Sequence, residues 1–271
     1  RLKGYAPQQV RAVATQTLRE ARNRDAFLVR AEAALGHPVE VISGREEARL
    51  IYAGVSFLQP GPAERLVVDI GGRSTEMILG QGHQARVVES FKVGSVSLSM
   101  RWFPDGQFTE QRFRDAKVAA GAELEEALTL FAPHLWQEAL GSSGTAGAVS
   151  QNLQAAGLTD GTITPEGLRW CIGQCLAAGS AERLSLPSLR DDRKAIIGGG
   201  LALLYTLATH FGITALKPAK GALRQGVVID LHERHAARRQ AHGGDVRDQS
   251  VAGLQARFGV DSGQAAGVRS L

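Results

Sequence analysis

The chain alternates apolar runs with periodic amphipathic stretches in an order that predicts its layers. Residues 10–15, "VRAVAT", predict a strand, and 17–35 predict one helix with its apolar residues on a single face. "HPVEVI" predicts a second short strand and "SGREEARLIYAGVSFL" a second helix, giving the β-α-β-α order of an α/β layer. Pro-Gly punctuation at 59–64 opens a new unit. Here "LVVDIGGRSTEMILG" (66–80) sets two apolar runs about a Gly-Gly-Arg-Ser-Thr turn and predicts a hairpin, with a third strand over 85–93. Helical patterns run from Ser95 to Phe131, followed by a strand near "LWQEAL" and a glycine-rich stretch (141–147) entering a helix. A glycine run leads into a long apolar helix (196–212), and "ITALKPAKGALRQGVVIDL" predicts strand, loop and final helix. Beyond His232 the composition becomes polar and predicts a hinge or exposed helix end, before a last helical pattern that stops without a capping signal. The expected units are 1–53, the remainder of a first α/β domain; 54–236, a second α/β domain; and 237–271, the start of a helical region.

Composition narrows the classes. With 271 residues, 44% hydrophobic and 21% charged, the chain has enough apolar matter for a large core in two compact units. Its only cysteines, Cys171 and Cys175, lie one helical turn apart in an apolar stretch and read as reduced core residues of a cytoplasmic protein. No run approaches the ~20 apolar residues of a membrane span, and the first residues lack a signal peptide's apolar segment. A net charge of +4 mildly favours anionic partners. Without an aromatic-interleaved basic stripe, it gives no support to nucleic-acid binding.

The hairpin carries chemistry that a tight turn does not need. Asp69 ends its first strand and Glu76 follows the turn, so two carboxylates face repulsion and partial desolvation. A cation relieves both costs, most simply Mg²⁺ with its oxygen ligands and retained waters. The sequence holds no P-loop signature, and the glycines of the turn precede a strand instead of the helix of a dinucleotide fingerprint. Gly71-Gly72-Arg73-Ser74-Thr75 has an echo in Gly141-Ser142-Ser143-Gly144-Thr145, each after a predicted strand. Glycine permits positive φ and close ligand approach, so two such turns, facing each other, could grip one phosphate chain. Equally, the second could simply cap its helix. Ser43 and Glu46 fit the S-x-x-E capping box, which gives Glu46 a structural task and leaves Glu47 either a solvated surface acid or a residue held for chemistry. Gly198–Gly200 allow close helix packing or room for a base or ribose. Arg19, Lys92, Lys220 and Arg224 are candidate phosphate partners, or ordinary surface cations.

In combination and in order, "DIGGRSTE", "VISGREEARLIYAGV", "GSSGT" and "GALRQGV" resemble the Ppx/GppA family of exopolyphosphatases and guanosine pentaphosphate phosphohydrolases, within the actin-like ATPase superfamily. The resemblance covers nearly the whole chain. It implies two ribonuclease-H-like domains around a cleft, the first N-terminally incomplete, a homodimer, and Mg²⁺-dependent release of the terminal phosphate of polyphosphate or pppGpp. By motif, Glu47 matches the catalytic acid, and Asp69 and Glu76 the metal-linked carboxylates. Gly71, Gly72, Ser74, Thr75, Gly141, Ser143, Gly144 and Thr145 match the phosphate loops, and Arg19 the arginine of "T-L-R". Two departures stand out. The family's opening D-x-G-S-N-S loop does not occur, and Arg73 replaces a third glycine, at a cost of roughly 1–2 kcal/mol if that position needs positive φ. A nucleotide-using kinase of the same superfamily and a non-catalytic polyphosphate or guanosine-nucleotide sensor remain as alternatives.

Overall fold

The computed structural model describes residues 4–240, with side chains through 236. After a short 3-10 turn at Pro7–Gln9, strands β1 (Ala12–Ala14) and β2 (Val39–Val41) pair in parallel. The single helix expected over 17–35 is two, α1 (Gln16–Glu20) and α2 (Arg24–Leu35). Ala21 turns extended between them, and the polar Ala-Arg-Asn stretch offers no apolar face to hold the turns together. Helix α2 buries none of its residues and stops at Gly36 in the left-handed region (φ 75°), the usual glycine terminator.

Helix α3 (Gly44–Leu58) leads into a five-stranded sheet built from β3 (Glu64–Ile70), β4 (Thr75–Gln81), β5 (Gln84–Phe91), β6 (Glu138–Ser142) and β7 (Leu216–Pro218). Its order is β5-β4-β3-β6-β7, antiparallel across the first three strands and parallel from β3 to β7. The remaining helices are α4 (Ser95–Trp102), α5 (Glu110–Glu123), α6 (Ala127–Leu130), α7 (Ser143–Ala155), α8 (Pro165–Ala178), α9 (Asp191–His210) and α10 (Leu223–Gln240). The expected hinge past His232 thus begins inside α10, and the helical pattern expected further on lies outside the described residues.

Alternation along β3 explains its unbroken apolar run. Leu66, Val68 and Ile70 point into the large core with Met77, Leu79 and the helices from α4 to α9. Val67 points the other way and, with Ile78 and Leu140, meets Ala48, Ile51, Tyr52 and Val55 of α3. These four recur at i, i+3, i+4 and i+7, one helical stripe, and each fully buried large side chain among them contributes about 1.5–3 kcal/mol. Helix α3 therefore covers one face of the five-stranded sheet, and residues 53 and 54 both lie inside this helix. It crosses α10 closely: a Cβ on Gly54 would stand 2.5 Å from the carbonyl of Ala222.

Gly198–Gly200 serve packing. A Cβ at Gly199 would lie 2.6 Å from the Ser95 carbonyl and Ser99 amide of α4, and Gly199 N–H donates to Ser99 Oγ at 3.0 Å. Cys171 and Cys175 are buried free thiols, and burial pushes both up to about 12. No described helix is long and apolar enough to cross a membrane.

Candidate active site

The sheet register places the chemistry at one edge. Asp69 stands opposite Glu76 on the antiparallel side and opposite Ser142 on the parallel side, so three polar residues lie in a row across β4, β3 and β6. The glycine segments leave the sheet side by side at that edge. Ser143 Oγ donates to Asp69 Oδ1 at 2.5 Å, and Thr145 Oγ1 donates to the Ile70 carbonyl at 3.5 Å. The two turns that the sequence paired are neighbours, at the carboxyl ends of parallel strands where α/β folds place their ligands.

The Gly71–Ser74 turn is pinned from behind by α4. The Gly71 carbonyl accepts from Ser95 N–H at 3.0 Å, and the Gly72 carbonyl accepts from the amides of Val96 and Ser97 at 2.8 and 3.0 Å. Among the described residues the amides of Gly72, Arg73 and Ser74 have no backbone acceptor. One expectation fails: none of Gly71, Gly72, Gly141 and Gly144 has positive φ. Their value is closeness, since a Cβ on Gly72 would press on Val96 at 3.2 Å and one on Gly141 on Ala146 at 2.9 Å. Arg73 likewise carries no positive-φ cost, and its side chain is exposed. Ser143 (φ 69°) alone among described non-glycine residues has positive φ. Such a conformation costs roughly 1–2 kcal/mol, and here it aims the hydroxyl at Asp69 while starting α7.

Glu47 enters from α3. Ser43 caps that helix by accepting from Glu46 N–H at 3.2 Å, but the capping box closes only in this direction. The Glu46 carboxylate accepts instead from Arg49 at 2.8 and 2.9 Å, charge-assisted bonds stronger than one to a neutral amide. Those bonds to Arg49 hold its carboxyl below the usual range. Glu47 is only 7% exposed and accepts from Arg19 Nη1 at 3.0 Å. Arg19 is anchored in turn: Nη1 also donates to the Ile42 carbonyl at 2.8 Å, and Nε and Nη2 donate to Gln16 Oε1 at 3.0 and 2.7 Å.

Burial dominates the electrostatics. It raises the Glu47 carboxyl, with the Asp69 charge adding and the Arg19 ion pair opposing. It raises Asp69 against the hydroxyls of Ser143 and Ser142. Glu76 is pushed up to about 8, by burial first and by the Glu47 charge second, while Ser90 Oγ donates to it at 2.7 Å. Three carboxyl groups that resist ionising together are a hard-oxygen set that a divalent cation would satisfy. No group of three or more His, Cys, Asp or Glu converges on one point among the described residues. Asp69 and Glu76, paired across β3 and β4, are the two carboxylates that could face one hard cation, whose remaining positions would go to waters or ligand oxygens.

Three further side chains belong here. Gln16, which orients Arg19, was legible only as an i, i+3 neighbour, and Ser90 carried no signal of its own. Arg193, at the start of α9, stacks so closely on the second turn that a Cβ at Gly144 would meet its Nη2 at 2.5 Å. Nothing in "LRDDRK" sets it apart from its charged neighbours. Of the other candidate cations, Lys92 and Lys220 are exposed, and Arg224 lines a surface groove with Phe57, Leu58 and Val228.

A mixed sheet covered on both faces, with buried carboxylates beside two glycine turns and a helix N-terminus at one edge, defines an α/β protein of ribonuclease-H-like type. The chain belongs to the Ppx/GppA phosphatase family, whose model matches residues 1–235. It is 36% identical over 268 residues to a guanosine-5'-triphosphate,3'-diphosphate pyrophosphatase of Aeromonas hydrophila, a match covering 99% of this chain and 53% of that protein. The chain thus spans about half the length of this curated relative. Among solved structures, the Aquifex aeolicus PPX-GPPA enzyme superposes with a TM-score of 0.67 at 26% identity, over 82% of this chain and 75% of that one. An exopolyphosphatase from Cytophaga hutchinsonii shares the fold with a TM-score of 0.71 at 22% identity, over 83% and 75% of the two chains.

Proposed function

We propose that this chain carries the phosphohydrolase site of a protein that releases the terminal phosphate of inorganic polyphosphate or pppGpp. The observation that carries the reading is the meeting of Glu47, Asp69 and Glu76, buried and mutually repelling, with two glycine turns. Terminal phosphoryl oxygens accept from the amides of Gly72–Ser74 and from the first turn of α7, where the helix dipole favours negative charge. The hydroxyls of Ser74, Ser143 and Thr145 lie at the same edge, Thr75 Oγ1 is instead buried and donates to the Val93 carbonyl at 2.6 Å, and Arg193 adds positive charge over Gly144. Glu47, held in place by its ion pair with Arg19, orients the attacking water and takes its proton. Asp69 and Glu76 hold Mg²⁺, which when bound neutralises the charge that phosphoryl transfer spreads over the equatorial oxygens. Ser143 and Ser90 fix the two carboxylates in place.

The test is phosphate release from both substrates by the complete polypeptide, with and without Mg²⁺. Glu47→Gln is expected to lower the rate by about 10²–10⁴-fold. Glu46→Gln, which loses ion pairs on the opposite flank of the same helical turn, is expected to stay within about tenfold of wild type. If Glu46→Gln is the crippling change, the assignment of the water-activating role to Glu47 is wrong.

A further inference from the structure

Outside the phosphate site, the densest set of charges lies where β1, α3 and α10 meet. Asp230 of α10 is buried and accepts from three guanidinium groups: Arg11 Nη1 at 2.5 Å, Arg49 Nη2 at 2.5 Å and Arg234 Nε at 2.6 Å. Two of these also reach Glu46, Arg49 at 2.8 and 2.9 Å and Arg11 at 3.5 Å, while Arg11 closes the set on Glu40 of β2 at 3.0 Å. Three carboxylates therefore balance three guanidinium groups, around an Arg11 side chain only 4% exposed.

Such a network is a poor means of stabilising a fold, because desolvating the charges offsets most of their attraction and apolar side chains would serve as well. What it supplies is direction. Arg–carboxylate bonds fix angles as well as distances, and here they join a strand and two helices. Glu46 is the chain neighbour of Glu47, and successive side chains on a helix diverge by about 100°. The network thus grips the first turn of α3 from one flank while Arg19 holds Glu47 on the other.

We propose that Asp230 is a positioning residue for Glu47: through Arg49 and Arg11 it fixes Glu46, and with it the helical turn that presents the carboxylate. The inference rests on the reading of Glu47 given above, and two readouts separate the two. In the 271-residue chain, Asp230→Asn keeps the shape of the side chain but removes its charge. Amide hydrogen exchange over residues 47–52 is expected to speed up at least about tenfold, with residues 149–155 of α7 unchanged. Phosphate release by the complete polypeptide is expected to lose about tenfold in kcat with KM within about twofold, and Asp230→Glu to recover part of the loss. Arg49→Met cuts the same link from the solvent side and is expected to give the same local exchange signature if Asp230→Asn does not fold. Exchange over 47–52 that keeps its wild-type rate, or that rises equally in α7, overturns the proposal. A wild-type protein that releases no phosphate overturns the Glu47 reading instead, and the exchange comparison still decides the role of Asp230.

Discussion

Glu76 illustrates how burial sets the state of a group before any ligand arrives. Its carboxyl is raised from 4.5 to about 8, so between those values the folded chain binds a proton that the unfolded chain has released. This reverses the behaviour of a salt-bridged carboxylate: the contribution to stability is fully present below pH 4.5 and is lost as pH rises towards about 8. In metal-free buffer, urea unfolding at pH 5 and pH 8.5 should show the wild type losing stability, and Glu76→Gln should recover at least about 1 kcal/mol at the higher pH. Asp69 and Glu47 are raised too, which leaves the variant a shallower slope of the same sign. Much at this scale was readable from the sequence. Asp69 and Glu76 stood out because a strand end gains nothing from paired acids; Glu47 was separated from Glu46 by a capping task that the Glu46 carboxylate does not perform, since it pairs with Arg49 instead. Gln16, Ser90 and Arg193 did not stand out, since each acts through a contact between residues distant in the chain or indistinct in type.

Among the elements, helices α4 and α9 show what the glycines are for. Alanine normally gains about 1 kcal/mol over glycine in a helix interior. At Gly199 the added methyl would meet backbone atoms of Ser95 and Ser99 at 2.6 Å, and overpacking of this kind costs about 1–3 kcal/mol. Gly173 on α8 has nothing within 4 Å of that position. Gly199→Ala is therefore expected to destabilise by about 1–2 kcal/mol and Gly173→Ala to stabilise by about 0.5–1 kcal/mol in the same denaturant titration. Most elements were legible because strand and helix periods differ. The break between α1 and α2 was not, because no glycine or proline marks it. Nor was the partner of α3, because an apolar stripe declares which face is buried but not which sheet will cover it.

The molecule as a whole is organised about the sheet from β5 to β7, with a large core on one face and α3 and α10 on the other. The small β1–β2 pair reaches that body through α3, α10 and the Asp230 network. The large core also encloses two thiols, and their burial makes the chain a reporter on itself. A cysteine held protonated and out of solvent is inert to alkylating agents, which attack the thiolate. Iodoacetamide at pH 8 is expected to leave Cys171 and Cys175 untouched in the native protein and to label both in urea. Under native conditions the slow accumulation of carbamidomethyl groups would then count how often α8 lifts away, a clock for breathing motions read by mass spectrometry with no engineered probe.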